Sequence, residues 1–309
     1  MPPPAHPLLR PLLTAALTGI VALGCTRAAD GAADQPEARL TGMLMDMRLN
    51  EISGLAASVT HPDVLWMHDD GGNPAQLFAV NTRGRRLATF GIEGVTKTDW
   101  EDMDAFEFKG KRYLLIADTG DNGGLRRTLQ LHVIEEPTRL TNARLKPAWS
   151  IAFRWPDGAR DCEAVAVDAQ RGEVLLISKK REPPELFVLP LQPPDRELLT
   201  AKRVGHLAGV PEPDPETLQR NPRRARLDGH VTAASVSPDR GTLAVMTYRY
   251  LLLYPRAPQQ DWAAAVAGVP RTSVLPWLPQ AEALGWSADG RSLYVTGEFI
   301  PAPLYRITP

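Results

Sequence analysis

The sequence predicts an all-β protein, a β-propeller of about five four-stranded blades whose ring is closed by an N-terminal strand. Three observations predict it. Five segments open a strand alike and align without gaps: Asn50-Glu51-Ile52-Ser53-Gly54-Leu55, Glu101-Asp102-Met103-Asp104-Ala105-Phe106, Cys162-Glu163-Ala164-Val165-Ala166-Val167, Val231-Thr232-Ala233-Ala234-Ser235-Val236 and Ala281-Glu282-Ala283-Leu284-Gly285-Trp286. They recur after 51, 61, 69 and 50 residues, close to the repeat length of a propeller blade. Short apolar runs with turns between them fill the intervals, and no convincing amphipathic helix interrupts them.

In chain order, residues 1–25 stand apart from the globular body. Arg10 precedes an apolar run that ends at Ala22-Leu23-Gly24-Cys25, which resembles a bacterial lipoprotein signal with Cys25 as the lipidated residue. The run is short for a membrane span. Residues 26–37, rich in Ala, Asp and Gly, read as a flexible tether, and 38–309 as a single propeller domain. Lipidation of Cys25 would leave Cys162 without a disulfide partner, so stability is expected from packing. The expected location is the cell envelope, anchored in the outer membrane and facing the periplasm with the N-terminal lipid as the only membrane contact; read as a plain secretory signal instead, the same segment makes the protein periplasmic or secreted.

Residues 41–47 read as the outer strand that the last repeat lacks. The first repeat is then expected at 52–57, 64–67, 76–80 and 86–90, and the second at 103–108, 112–117, 129–134 and 149–153. The third follows at 164–168, 173–178, 185–189 and 201–206; the fourth and fifth show 242–247 with 250–254, and 292–296 with 303–307. The turns Asp168-Ala169-Gln170-Arg171-Gly172, Ser237-Pro238-Asp239-Arg240-Gly241 and Ser287-Ala288-Asp289-Gly290-Arg291 join first to second strands. Runs such as Ala164-Val165-Ala166-Val167 are apolar or small on both faces, as sandwiching between neighbouring blades requires.

Four of the five segments carry an acid at their second position: Glu51, Asp102, Glu163 and Glu282, with Thr232 in the fourth. First strands begin on the face where second strands end. The acids therefore share a mouth with His68-Asp69-Asp70, Asp118-Thr119-Gly120-Asp121, Lys179-Lys180, Tyr248-Arg249 and Gly297-Glu298. Carboxylates about 6 Å apart repel by roughly 3 kcal/mol at an effective dielectric near 20. A ring of four is thus expected to take up protons or a cation. Oxygen donors alone favour calcium over zinc, and the scattered histidines offer no competing metal spacing. The alternative is that each acid caps a turn or accepts a hydrogen bond from the next blade.

Glu51-Ile52-Ser53-Gly54-Leu55, Trp66-Met67-His68-Asp69-Asp70-Gly71-Gly72-Asn73, Asp99-Trp100-Glu101-Asp102 and Ala117-Asp118-Thr119-Gly120-Asp121-Asn122 resemble the signatures of a family of exported bacterial β-propellers, similar in turn to phytase-like ("esterase-like") propeller domains. The resemblance runs from about Leu49 to the C-terminus. It implies a propeller and a bound divalent cation, while Thr232 departs from a symmetric cage.

Three function classes stay open. A calcium-dependent hydrolase of phosphate or carboxylic esters would use His68 or Asp118 as the base and Lys179, Lys180 or Arg249 for the substrate anion. A non-catalytic module would bind a small-molecule or envelope ligand, or a protein, at the same mouth. A glycosidase would set two carboxylates across a sugar bond. The net charge of −1 excludes a reason to expect nucleic acid, and the chain is expected to be a monomer. The Pro- and Arg-rich stretch 207–229 lies on the mouth side and is read as a lid or a solvated insertion.

Overall fold

A computed structural model describes Met1, residues 36–194 and residues 197–309. The signal assigned to 1–25, including Cys25, and most of the tether lie outside the described residues. Five largely antiparallel sheets form the blades, four of them running in chain order from an inner to an outer strand and the fifth ending on the N-terminal strand. Blade 1 comprises Ile52–Ala57, Val64–Asp69, Gln76–Asn81 and Arg86–Ile92, and blade 2 Trp100–Phe108, Lys111–Asp118, Leu129–Glu135 and Trp149–Arg154. Blade 3 holds Cys162–Asp168, Glu173–Ser178, Glu185–Pro190 and Lys202–His206; blade 4 holds Val231–Val236, Thr242–Thr247, Tyr250–Pro255 and Arg271–Val274. In blade 5 Ala281–Trp286, Leu293–Gly297 and Ala302–Thr308 are completed by the N-terminal strand Glu37–Leu44.

That closing strand pairs antiparallel with the end of the chain, from Glu37 opposite Thr308 to Leu44 opposite Ala302. It begins earlier than the expected 41–47, and Met47 belongs instead to the short 3-10 turn Met47–Leu49. Each inner strand lies against the next, and the fifth lies against the first. The core is correspondingly divided, with one apolar cluster per blade interface. Trp66, Phe90 and Trp100 fill the first, Phe153, Trp155 and Phe187 the second, and Tyr254 with Trp262 the third. Met246 with Leu284 and Phe78 with Leu304 mark the remaining two. Each such side chain contributes about 1.5–3 kcal/mol on burial.

Three short helices among the described residues, Pro215–Arg220, Pro222–Leu227 and Trp262–Val266, depart from the helix-free expectation. Five or six residues are too few to display a 3.6 period, so local capping sustains them. Asp214, Asn221 and Asp261 accept the backbone N–H of Thr217, Arg224 and Ala264. The polar outer strand Arg271–Val274 likewise lacked an apolar signature. Two short segments, Ala143–Leu145 and Leu199–Thr200, pair in parallel with the outer strands of blades 1 and 2 and cover those edges.

One irregularity recurs in every blade and sets up the mouth. Where each inner strand begins, its pairing slips by one residue: between Ile52 and Gly54, Trp100 and Asp102, Cys162 and Ala164, Val231 and Ala233, and Ala281 and Ala283. The bulged residues are Ser53, Glu101, Glu163, Thr232 and Glu282. Bulges re-aim side chains, so these five are the equivalent positions of the ring. The gap-free alignment is therefore displaced in blades 1 and 2, where Ser53 and Glu101 stand in the place it gives to Glu51 and Asp102. With a side-chain period of two, a slip of one residue changes the face.

Candidate functional site

The bulged residues meet the residues just beyond the second strands at one mouth, and its two halves differ. On the side of blades 1 to 3, oxygens of Asp70, Asp99 and Glu101 lie within 4.8 Å of one another, as do oxygens of Glu101, Asp161 and Glu163. Glu101 belongs to both triads and is 3% exposed. Its Oε2 accepts from Ser53 Oγ at 3.3 Å. Lys179 pairs with Glu163, and Lys180 with Asp161 at 2.7 Å, so two ammonium groups face five carboxylates. A Cβ on Gly120 would overlap Oε1 of Glu101 and Oδ2 of Asp99, and one on Gly71 would overlap Oδ1 of Asp99. Both glycines are required by close approach.

The Asp-Thr-Gly-Asp-Asn segment holds this half from behind. Asp118 accepts the backbone N–H of Thr98 at 2.9 Å and of Asp99 at 3.1 Å, and Nη2 of Arg126 at 2.6 Å. Arg126 also donates through Nη1 to the carbonyl of Gly120 at 2.7 Å. The Asp121 N–H donates to Oδ1 of Asp161 at 2.8 Å, while the Asp121 carboxylate closes its own loop on the N–H groups of Leu125 and Arg126. These residues orient the acids and do not join them.

On the side of blades 3 to 5 a chain of hydrogen bonds links the charged groups. Lys179 Nζ donates to the Tyr248 hydroxyl at 2.9 Å, and that hydroxyl donates to Glu282 Oε1 at 2.7 Å. Gln280 Nε2 donates to Glu282 at 3.2 Å and to Glu298 at 2.5 Å. Gln280 and Phe299, which flank this half in sequence, have φ of 46° and 67°, a strained left-handed backbone.

Burial lifts Asp99, Glu101, Glu163 and Glu298, and neighbouring acids lift them further. Asp99 rises to about 7 through burial and then Asp70. Glu101 stands well above the usual carboxylate range through burial, Glu163 and Asp70. Glu163 rises to about 8, burial and Glu282 outweighing the Lys179 ammonium, and Glu298 rises to about 9 through burial and Glu282. Lys179 stays protonated: burial opposes its charge, but Glu163 and Tyr248 outweigh burial.

Of the four acids expected in the ring, Glu163 and Glu282 occupy bulge positions. Glu51 is exposed and accepts from Asn73 Nδ2 at 2.6 Å, outside both triads. Asp102 points into the channel below the mouth. It accepts the backbone N–H of Met103 and Val165 at 2.8 Å and of Ala234 at 3.1 Å. His68 is 0% exposed, edge-on to Trp100, with Nδ1 near the Asp69 carbonyl and Nε2 near the Asp102 carbonyl. Burial and then Lys97 push it down to about 4, so the ring is neutral but sealed from the mouth. Lys180 also donates to Asn122, and Arg249 faces Asp228 at 3.6 Å. All three cations expected for a substrate anion are thus held by carboxylates of this chain. Residues 207–229 fold partly into the helix pair and border a cavity of about 380 Å³ that Lys179 and His230 also line.

Asp70, Asp99, Glu101 and Asp161 were not singled out as ligands by sequence. Their signal was present in Asp99-Trp100-Glu101-Asp102, but the bulge that selects Glu101 over Asp102 leaves no trace in spacing. The chain is a five-bladed β-propeller with a buried acidic cluster at one mouth. No family model and no curated protein matches it. Among solved structures it is similar to a luciferin-regenerating enzyme, at a TM-score of 0.45 and 10% identity over 89% of this chain and 95% of that one.

Proposed function

We propose that the protein is an exported, phytase-like propeller that binds calcium in the Asp70, Asp99, Glu101, Asp161 and Glu163 cluster and hydrolyses a phosphate or carboxylic ester there. The observation that carries this reading is Glu101, a buried acid common to two carboxylate triads. Five acids outnumber the Lys179 and Lys180 ammonium groups and the neighbouring Lys97 and Arg126, which favours uptake of protons or a further cation, and their all-oxygen donors suit calcium. Bound there, calcium supplies charge for an ester oxyanion and lowers the pKa of a water. Glu298, raised to about 9, holds a proton at neutral pH that a departing alkoxide can take, and Gln280 fixes its position.

A second reading, a calcium-dependent binding module without turnover, is favoured by the pairing of Lys179, Lys180 and Arg249 and by the sealing of His68. One screen separates the two. Aryl phosphates and aryl esters are offered to calcium-loaded wild type, Glu163→Gln and Glu298→Gln. A hydrolase turns over one class and loses that activity in both variants. Saturable binding with no turnover that either variant reduces establishes the module instead.

Export rests on residues 1–25. Cys25→Ala is expected to stop incorporation of labelled palmitate and to release the protein from the membrane fraction. Unchanged labelling of that variant removes Cys25 as the lipid site. Thr26, in place of an acid after the cysteine, favours outer-membrane sorting by resemblance to known lipoproteins.

A further inference from the structure

The channel has a second end. Opposite the acidic mouth, where the inner strands finish, all five blades contribute to a cavity of about 340 Å³, within the size range of small-molecule sites. Asp104 lies at its inner end and is 7% exposed. One oxygen accepts the Ala105 N–H at 2.9 Å and the other the Val167 N–H at 2.7 Å. A carboxylate has about four lone-pair positions, so about two stay open. No cationic side chain of the described residues pairs with Asp104. A buried carboxylate without a counter-charge is costly unless a cation or proton joins it.

Around this acid the lining combines aromatic and small residues with the polar Glu107, Lys109, Gln170, Ser235, Ser237 and Arg240. Phe106, Phe108 and Trp286 supply ring surface, and Ala56, Ala105 and Gly285 make room beside them. At the rim the protein already places an ammonium on one of these rings, with Lys109 Nζ 4.9 Å from the centroid of Phe108. Asp104 and Glu107 are the two carboxylates of the lining, and with Lys109 and Arg240 beside them they are a poor match for calcium, which takes six to eight oxygens. Asp104 among the rings suits an organic cation, whose charge pairs with the acid and whose carbon frame rests on the rings.

We propose that this cavity is a binding site for a small organic cation, an alkylammonium or quaternary ammonium group, with its charged end toward Asp104 and its apolar part against Phe106, Phe108 and Trp286. The site is separate from the acidic mouth and independent of the function assigned to it.

The test is calorimetric titration of the whole chain, with calcium present throughout, using n-butylammonium, n-butyltrimethylammonium and uncharged 1-butanol. Both cations are expected to bind saturably, and 1-butanol roughly tenfold more weakly or worse. Asp104→Asn should weaken both cations to the level of 1-butanol, Phe108→Leu should weaken the quaternary probe several-fold, and Glu101→Gln should leave both unchanged. If Asp104→Asn does not fold, Phe108→Leu and the 1-butanol comparison decide the matter. Equal binding of 1-butanol and the cations, loss of binding in Glu101→Gln with retention in Asp104→Asn, or no saturable binding of either cation overturns the proposal.

Discussion

Cation-free protein is expected to lose stability as the pH rises from about 5 to about 9, calcium to restore it, and Glu101→Gln to lessen the loss and remove the calcium effect. The sign follows from the acids. Asp99, Glu163 and Glu298 rise to about 7, 8 and 9 in the folded protein, against an ordinary unfolded value of about 4. Folded protein therefore binds more protons across that window, and stability falls as pH rises through it. Below about pH 4 the contribution is fully present. Above about pH 9 it is gone, and the mouth holds uncompensated charge.

Calcium acts on that charged state. A ligand that binds only the folded form, at a hundred times its Kd, stabilises by about 2.7 kcal/mol. For a domain of this size that is roughly 5 °C or more in Tm. Glu101→Gln keeps the side-chain shape that Gly120 accommodates but removes the charge common to both triads. The variant should melt above cation-free wild type at pH 8 and show little further rise with calcium. Thermal scans at pH 5, 7 and 9, with chelator or calcium, give the answer. Superimposable wild-type curves with chelator and calcium at every pH would remove the cation from the mouth.

The blades are legible in the sequence because sandwiched inner strands must be apolar or small on both faces, and because Asp- and Gly-built turns punctuate them. Ala164-Val165-Ala166-Val167 and the turn after it fall where both rules place them. The strand Arg271–Val274 escapes because an exposed outer strand need not be apolar, and Trp262–Val266 because one helical turn has no period to detect. At the mouth, spacing finds the rim but not the direction of a side chain. Glu163 and Glu282 coincide with their bulges, whereas Glu51 and Asp102 miss theirs by two residues and one. Asp118 belongs to a motif that marks the site, yet its oxygens are taken by Thr98, Asp99 and Arg126. Motif membership and contact with a ligand are different properties, and hydrogen bonds decide between them.

Asp102 carries the sharpest consequence of that one-residue slip. Truncation to alanine is expected to destabilise the fold by about 3–9 kcal/mol, since three buried N–H groups lose their acceptor at about 1–3 kcal/mol each. Those groups belong to Met103 in blade 2, Val165 in blade 3 and Ala234 in blade 4, so one carboxyl ties three inner strands across the channel. Native stabilities of about 5–15 kcal/mol leave such a variant marginal. A cation ligand at the mouth behaves otherwise: removing it relieves repulsion in cation-free protein and cancels the gain from calcium, as expected for Glu101→Gln. Urea unfolding of wild type, Asp102→Ala and Glu101→Gln, each with chelator and with calcium, separates the two roles. Asp102→Ala should show a much lower midpoint in both conditions while keeping its calcium increment. If instead it unfolds like wild type in chelator and loses the increment, Asp102 is a ligand and the three N–H groups find other acceptors.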